Sequence, residues 1–265
     1  MSDDKPISQV LDDFQRRGRY GFERRELEVA LPSSSPAAIA KALQRLAQKG
    51  RVRRLRSGFH VLVPVEFTTQ GLPPYDWFLD DLMRSLELPY YLGLLSAASL
   101  HGAAHQQVQQ LQIVVPRQER PLKVPGLSIR FFRKSGFAAT PLLQRKGHSG
   151  MLPVSTPEAT ALDLIRYARH IGGLDAVQTV LAELVESMTP AGLAAAAAEP
   201  ETAQVQRLGW LLDHLDQSAL ADPLHAALAQ AKALPRAALD PGAPRTGSAA
   251  NRWRIFENAE TEADL

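Results

Sequence analysis

The stretch that most constrains this chain runs from Ser33 to Val63, SSSPAAIAKALQRLAQKGRVRRLRSGFHVLV. Ser34 or Ser35 can cap a helix by accepting N–H bonds that find no partner inside it, and Pro36 suits the first helical position, where its missing donor is not needed. At about 100° per residue, Ile39, Leu43 and Leu46 share a narrow arc, while Ala37, Lys41, Gln44, Arg45 and Gln48 lie opposite. Gly50 stops the helix where a left-handed residue is required. Val52 to Leu55 and Phe59 to Val63 then read as strands joined through Arg56-Ser57-Gly58. Helix followed by hairpin predicts the second half of a winged helix-turn-helix. Both Val52 and Leu55 are apolar at odd separation, which predicts either a bulge or a very short first strand.

Charge gives this stretch a partner. Between residues 29 and 65 there are seven basic side chains, Lys41, Arg45, Lys49, Arg51, Arg53, Arg54 and Arg56, and no acidic one. A solvated face interleaves both signs, whereas an acid-free basic face attracts a polyanion such as duplex DNA through counterion release. The first 65 residues hold 13 Lys/Arg against 7 Asp/Glu, and the remaining 200 hold 17 against 21. The basicity belongs to one end. The alternative for this stretch is a helix-turn-helix that serves protein interaction only.

Upstream, Ile7, Val10, Leu11 and Phe14 recur at helical spacing, and Phe22 to Leu31 predicts a second helix with Leu27 and Ala30 inward. At 265 residues two domains are the expectation. Thr68 to Pro74 has the composition of a linker, which divides the chain into a winged helix-turn-helix over residues 1–67 and a domain over residues 75–265. The class is α+β: the small N-terminal domain precedes a larger mixed α/β domain with a small sheet and a helical C-terminal half.

In the larger domain Asp76 to Leu86 predicts an amphipathic helix, and YYLGLLSAASLHG a buried one. Leu111 to Pro116 and Leu127 to Phe132 read as paired strands flanking a basic loop, and Met151 to Val154 as a third strand. Ser155-Thr156-Pro157-Glu158 has capping-box spacing, with Glu158 reaching back to its own helix start. Helices follow over 158–170, 174–186, 190–198, 203–215 and 220–231. A loop over 235–250 precedes a short last strand around Trp253, Ile255 and Asn258.

Candidate chemistry is sparse. Asp163, Glu158 and Glu183 could serve as nuclease carboxylates, and His101 and His105, four apart, as metal ligands, but each has a structural explanation on a helix. There is no GxGxxG, P-loop or GxSxG motif, so no cofactor, metal or catalytic residue is expected. The absence of cysteine excludes disulfides and thiolate sites. A polar start and the lack of any apolar run near about 20 residues predict a cytoplasmic chain with no membrane partner. Arg117, Arg120, Lys123, Arg130, Arg133, Lys134, Arg145, Lys146 and His148 make the start of the second domain locally basic. Either they form a charged strand edge, or a second nucleic-acid contact.

In order and spacing, LQRLAQKGRVRRLRSGFHVL, YYLGLLSAASLHG, LQIVVP followed by LSIRFFRK, VSTPEATALDLIRYARHIGGLD and QRLGWLLDHL together resemble a family. It is that of the antitoxins of the bacterial abortive-infection AbiE type (AbiEi), transcriptional regulators of type IV toxin–antitoxin pairs. The resemblance implies a repressor of its own operon whose C-terminal domain neutralises a nucleotidyltransferase-like toxin without requiring a stable complex. Carried over by position, the DNA-contacting set is Ser34, Ser35, Lys41, Gln44, Arg45, Gln48 and Lys49 on the helix and Arg51, Arg53, Arg54 and Arg56 on the wing. The expected partner is operator duplex bearing inverted repeats, bound by a homodimer or by two monomers. The competing class is a DNA-tethered, metal-dependent nuclease or nucleotidyl-transferring enzyme, and a third is an adaptor that binds a protein through the helices after Gly173.

Overall fold

The computed structural model describes residues 6–103, 110–198, 200–230 and 233–260. In chain order they form α1 (Ile7–Arg16), β1 (Gly21–Glu23), α2 (Arg24–Ala30), α3 (Pro36–Gln48), β2 (Val52–Arg56), β3 (Phe59–Leu62) and α4 (Leu79–Ser85). Then come β4 (Tyr91–Leu92), α5 (Leu94–Leu100), β5 (Leu111–Val115), β6 (Leu122–Val124), β7 (Leu127–Arg133), β8 (Leu142–Lys146) and β9 (Met151–Ser155). The rest is α6 (Pro157–Arg166), α7 (Gly173–Leu184), α8 (Pro190–Ala196), α9 (Thr202–His214), α10 (Ser218–Ala229), β10 (Ala237–Ala238) and β11 (Ile255–Phe256). The protein is thus mixed α and β with a helical C-terminal half. Its contacts gather the chain into two compact units: Met1–Tyr90 with Gln118–Phe132 and Gln144–Pro153, and Tyr91–Arg117 with Arg133–Leu143 and Val154–Leu265.

In the first unit the core is built by Val10, Leu11, Phe22, Leu27, Ile39, Leu43, Val52 and Leu62. Burying each large apolar side chain contributes about 1.5 to 3 kcal/mol relative to leaving it in water. The expected second helix starts two residues late, at Arg24 rather than Phe22. Gly21–Glu23 is instead an edge strand antiparallel to β3, with Phe22 opposite His60, in a sheet of order β1-β3-β2. Glu23 and Glu26 form a reciprocal capping box that fixes the helix start after the strand. Ala30, expected inward, is exposed at the end of α2. A glycine is required at position 21, because a Cβ there would lie 2.7 Å from Asp81 on α4 and 2.8 Å from Phe59.

The parity of β2 is resolved by a bulge. The register passes from Arg54 opposite His60 to Arg56 opposite Phe59, so Leu55 is the extra residue and turns to the same buried side as Val52. The segment with linker composition is packed: Gly71 donates to the Phe67 carbonyl and Leu72 is buried. The basic loop expected over 117–126 contains β6, which pairs with β7 (Leu122 opposite Ile129, Val124 opposite Leu127) and packs beside β2.

In the second unit β4 lies between β5, its antiparallel neighbour, and the end of β9, to which it is parallel. Tyr91–Leu92 was expected as part of a buried helix, and a short apolar run does not separate the two possibilities. At Gly93 a Cβ would meet Val114 at 2.7 Å, and Leu94 adopts a φ of 50° as the chain turns from strand into α5. Helix α6 is buried along nearly its whole length among α5, α7, α8 and α9. Trp253, just before β11, lies against α9 so closely that a Cβ on Gly209 would be 2.2 Å from its ring.

Candidate nucleic-acid interface

Helix α3 is held at its start by Ser35, whose Oγ accepts from the Ala38 N–H at 3.2 Å, with Pro36 in the first turn. Ser34 instead donates its backbone N–H to Leu31. Ile39 and Leu43 turn into the core and Leu46 is half-buried, so Ala37, Lys41, Gln44, Arg45, Gln48 and Lys49 are left in solvent. Gly50, at φ 69°, reverses the chain into β2. There Arg51 and Arg54 are exposed and Arg53 and Arg56 half-buried. The Arg53 guanidinium lies over Gly71, with Nε donating to the Gly71 carbonyl at 3.3 Å.

Pairing separates these cations from their neighbours. Arg16 meets Asp13, Arg19 meets Glu26 at 2.9 Å, Arg24 meets Glu28 at 3.0 Å and Arg25 meets Glu23 at 2.7 Å. Among the described residues no carboxylate pairs with Lys41, Arg45, Lys49, Arg51, Arg54 or Arg56. Behind them His60 is 7% exposed and stacks on Phe22 with ring centroids 5.6 Å apart. Burial, helped by the charges of Arg54 and Arg24, pushes its pKa down to about 4, so it is neutral at physiological pH. Nothing in the local pattern marked this histidine.

The carboxylates considered for catalysis are occupied. Asp163 accepts from Lys134 Nζ at 2.8 Å and, on its other oxygen, from the Tyr91 hydroxyl at 2.7 Å. Burial and this carboxylate raise the Tyr91 pKa. Lys134, counted by its sequence among the surface cations, is therefore in the interior. Glu158 does not reach back to its own helix. Thr156 caps α6, while Glu158 accepts from the backbone and hydroxyl of Thr189, the capping residue of α8, at 2.9 and 3.2 Å. Glu183 is half-buried on α7.

His101 Nε2 lies 2.8 Å from the Ser155 carbonyl, and His105 falls outside the described residues. No group of three or more His, Asp or Glu suited to a metal occurs among the described residues. Arg145 and Lys146, expected in a loop, are in β8, and His148 stacks on Trp77 at 3.5 Å and 5°.

No curated protein matches the chain. Among solved structures, the crystal structure of the RV2827C protein from Mycobacterium tuberculosis superposes with a TM-score of 0.66 at 19% identity, covering 94% of this chain and 89% of that one. That likeness speaks for the fold alone. An antigenic nucleotidyltransferase-like protein from Paracoccidioides brasiliensis covers 56% of this chain and 89% of its own at 10% identity, but a TM-score of 0.33 carries no argument. The family model for the AbiEi antitoxin C-terminal domain matches residues 91–214. Over that segment, just under half of its length, the chain is similar to the AbiEi antitoxin C-terminal domain family.

Proposed function

We propose that this chain is a DNA-binding antitoxin that represses its own operon in the cytoplasm and counteracts a nucleotidyltransferase-like toxin, with no catalytic activity of its own. The antitoxin half of the reading rests on the family match. The DNA half rests on one observation: α3 buries Ile39 and Leu43 and holds Lys41, Gln44, Arg45 and Gln48 in solvent beside hairpin arginines that no carboxylate among the described residues neutralises.

In this reading residues 1–67 act as a winged helix-turn-helix with α3 as the recognition helix, and residues 75–265 act as the antitoxin domain. Lys41, Gln44, Arg45 and Gln48 approach base edges in the major groove, where glutamine matches adenine and arginine matches guanine. Ser34, Ser35, Lys49, Arg51, Arg54 and Arg56 hold phosphates and set the register. Arg53 shares its guanidinium between Gly71 and a phosphate. Two copies on an inverted repeat, as a dimer or as separate monomers, give the operator its symmetry.

The test is a gel shift with duplex from upstream of the gene against a scrambled duplex of equal length, repeated over a salt series. Preference for the upstream duplex, with affinity falling linearly in log salt, supports the reading. Equal affinity for both duplexes removes repression, and failure to rescue cells expressing the adjacent toxin removes the antitoxin role.

A further inference from the structure

The second unit contains a cleft of about 520 Å³ where the end of α6, the start of α7, the first turns of α9 and the Leu239–Pro241 segment meet. Three sets of donors face it. Helix α7, twelve residues long, begins after Gly172 with no side-chain cap, so its first N–H groups and the positive end of its dipole open here. Gln204 lines the cleft at 6% exposure, and its side-chain amide makes no hydrogen bond among the described residues. Arg207 gives Nε to the Ala238 carbonyl at 2.8 Å and keeps its two terminal nitrogens without an acceptor among the described residues.

The Gln204 amide and the terminal nitrogens of half-buried Arg207 have no partner among the described residues, so their donors are open to a group in the cleft. Burial also holds Arg207 below the ordinary arginine value, against the pull of Glu201 and Asp240, as expected of a cation short of a close counter-charge.

The acids of the cleft are arranged differently from the donors. Asp175, Glu201 and Glu260 are exposed, and Asp240 is matched by Arg169 at 3.2 Å. Four carboxylates thus line the cleft against Arg166 and Arg169, while the unused donors belong to buried Gln204 and half-buried Arg207. Such a lining repels a polyanion but accepts one compact negative group, and it favours a neutral or cationic remainder.

We propose that this cleft binds a small molecule with a single anionic head, a carboxylate or a phosphate monoester, and an uncharged or cationic body. The head sits between the α7 N-terminus and the Arg207 fork, whose planar donors suit either group. The Gln204 amide, both donor and acceptor, pairs with a polar atom beside the head. Ile165, Leu174 and Leu239 supply an apolar wall for the body. The site is independent of the DNA-binding reading.

The full chain is titrated with sodium phosphate and with sodium acetate at matched ionic strength in chloride, with ATP as the polyanion control, while amide NMR signals are followed. The expected result is a saturable shift of the Gly173 backbone and Gln204 side-chain signals with at least one of the two head groups. It should weaken at least tenfold in Arg207→Lys, which keeps charge but loses the fork, and vanish in Arg207→Met. Response to phosphate alone selects a phosphate ester, and response to acetate alone a carboxylate. If Arg207→Met does not fold, Gln204→Leu serves in its place, with the same tenfold loss expected. No shift with either head group, shifts unchanged in the variants, or tighter binding of ATP than of phosphate would overturn the proposal.

Discussion

Lys134 Nζ and Asp163 Oδ1 meet at 2.8 Å with only 4% and 1% of their residues exposed, joining the end of β7 to the middle of α6. The two charges, taken out of water, face each other, and the Tyr91 hydroxyl donates to the second carboxylate oxygen at 2.7 Å. Lys134→Met leaves the carboxylate buried and unpaired, with an expected loss of about 3 to 5 kcal/mol in urea unfolding. Removing both charges, as Lys134→Met with Asp163→Leu, is expected to recover more than half of that. A single-variant loss below about 1 kcal/mol would show that the pair contributes little.

His60 is buried and neutral with a pKa of about 4, whereas in the unfolded chain it titrates near 6.5. The unfolded state therefore takes up a proton first as pH falls. Stability is complete above pH 6.5 and declines between there and pH 4, by about 3 kcal/mol in total if only this group acts. In His60→Phe that component of the acid loss should be absent. Parallel pH–stability curves for the two proteins would refute it.

Arg45 and Arg54 are both exposed and, among the described residues, meet no carboxylate, but they lie on different elements. Arg45→Ala is expected to cost about 1 to 3 kcal/mol in operator affinity and to relax sequence preference, and Arg54→Ala to weaken all duplexes alike and lower the salt slope by about one. Gel shifts with operator and scrambled DNA would show the reverse pattern if these roles were exchanged.

Arg53→Ala should differ from both, because its Nε bond to Gly71 holds the 68–71 turn against β2. A loss of thermal stability alongside a uniform loss of DNA affinity is expected. An unchanged melting temperature would show that the turn does not depend on it.

Gly209→Ala separates local from tertiary control. Propensity alone predicts a gain of about 1 kcal/mol for alanine inside α9. The Trp253 ring, 2.2 Å from the added Cβ, predicts a net loss of about 1 to 3 kcal/mol through overpacking. Denaturant unfolding gives the sign, and the fluorescence of Trp253 should shift with it.

The sequence was most informative where the determining interactions are local. The start, stop and buried stripe of α3 follow from Ser35, Pro36, Gly50 and a 3.6-residue period, and the hairpin from a glycine turn between apolar residues. Even its bulge was foreshadowed by the odd spacing of Val52 and Leu55. The unpaired basic set on this helix and hairpin was legible for the same reason, since no acid occurs for many residues to either side of it.

What the sequence did not contain were decisions made by distant partners. Whether Gly21–Glu23 begins a helix or joins β3 depends on a strand nearly forty residues later. Lys134 reads as a surface cation until Asp163, 29 residues on, takes it inside. Glu158 has the spacing of a local cap, yet it accepts from Thr189, the residue that caps α8. The cleft that joins Gly173, Gln204 and Arg207 to Leu239 has no sequence signature at all. Period, capping and turn chemistry act over a few residues and are written in order along the chain, whereas burial and charge pairing depend on distances that exist only after it has folded.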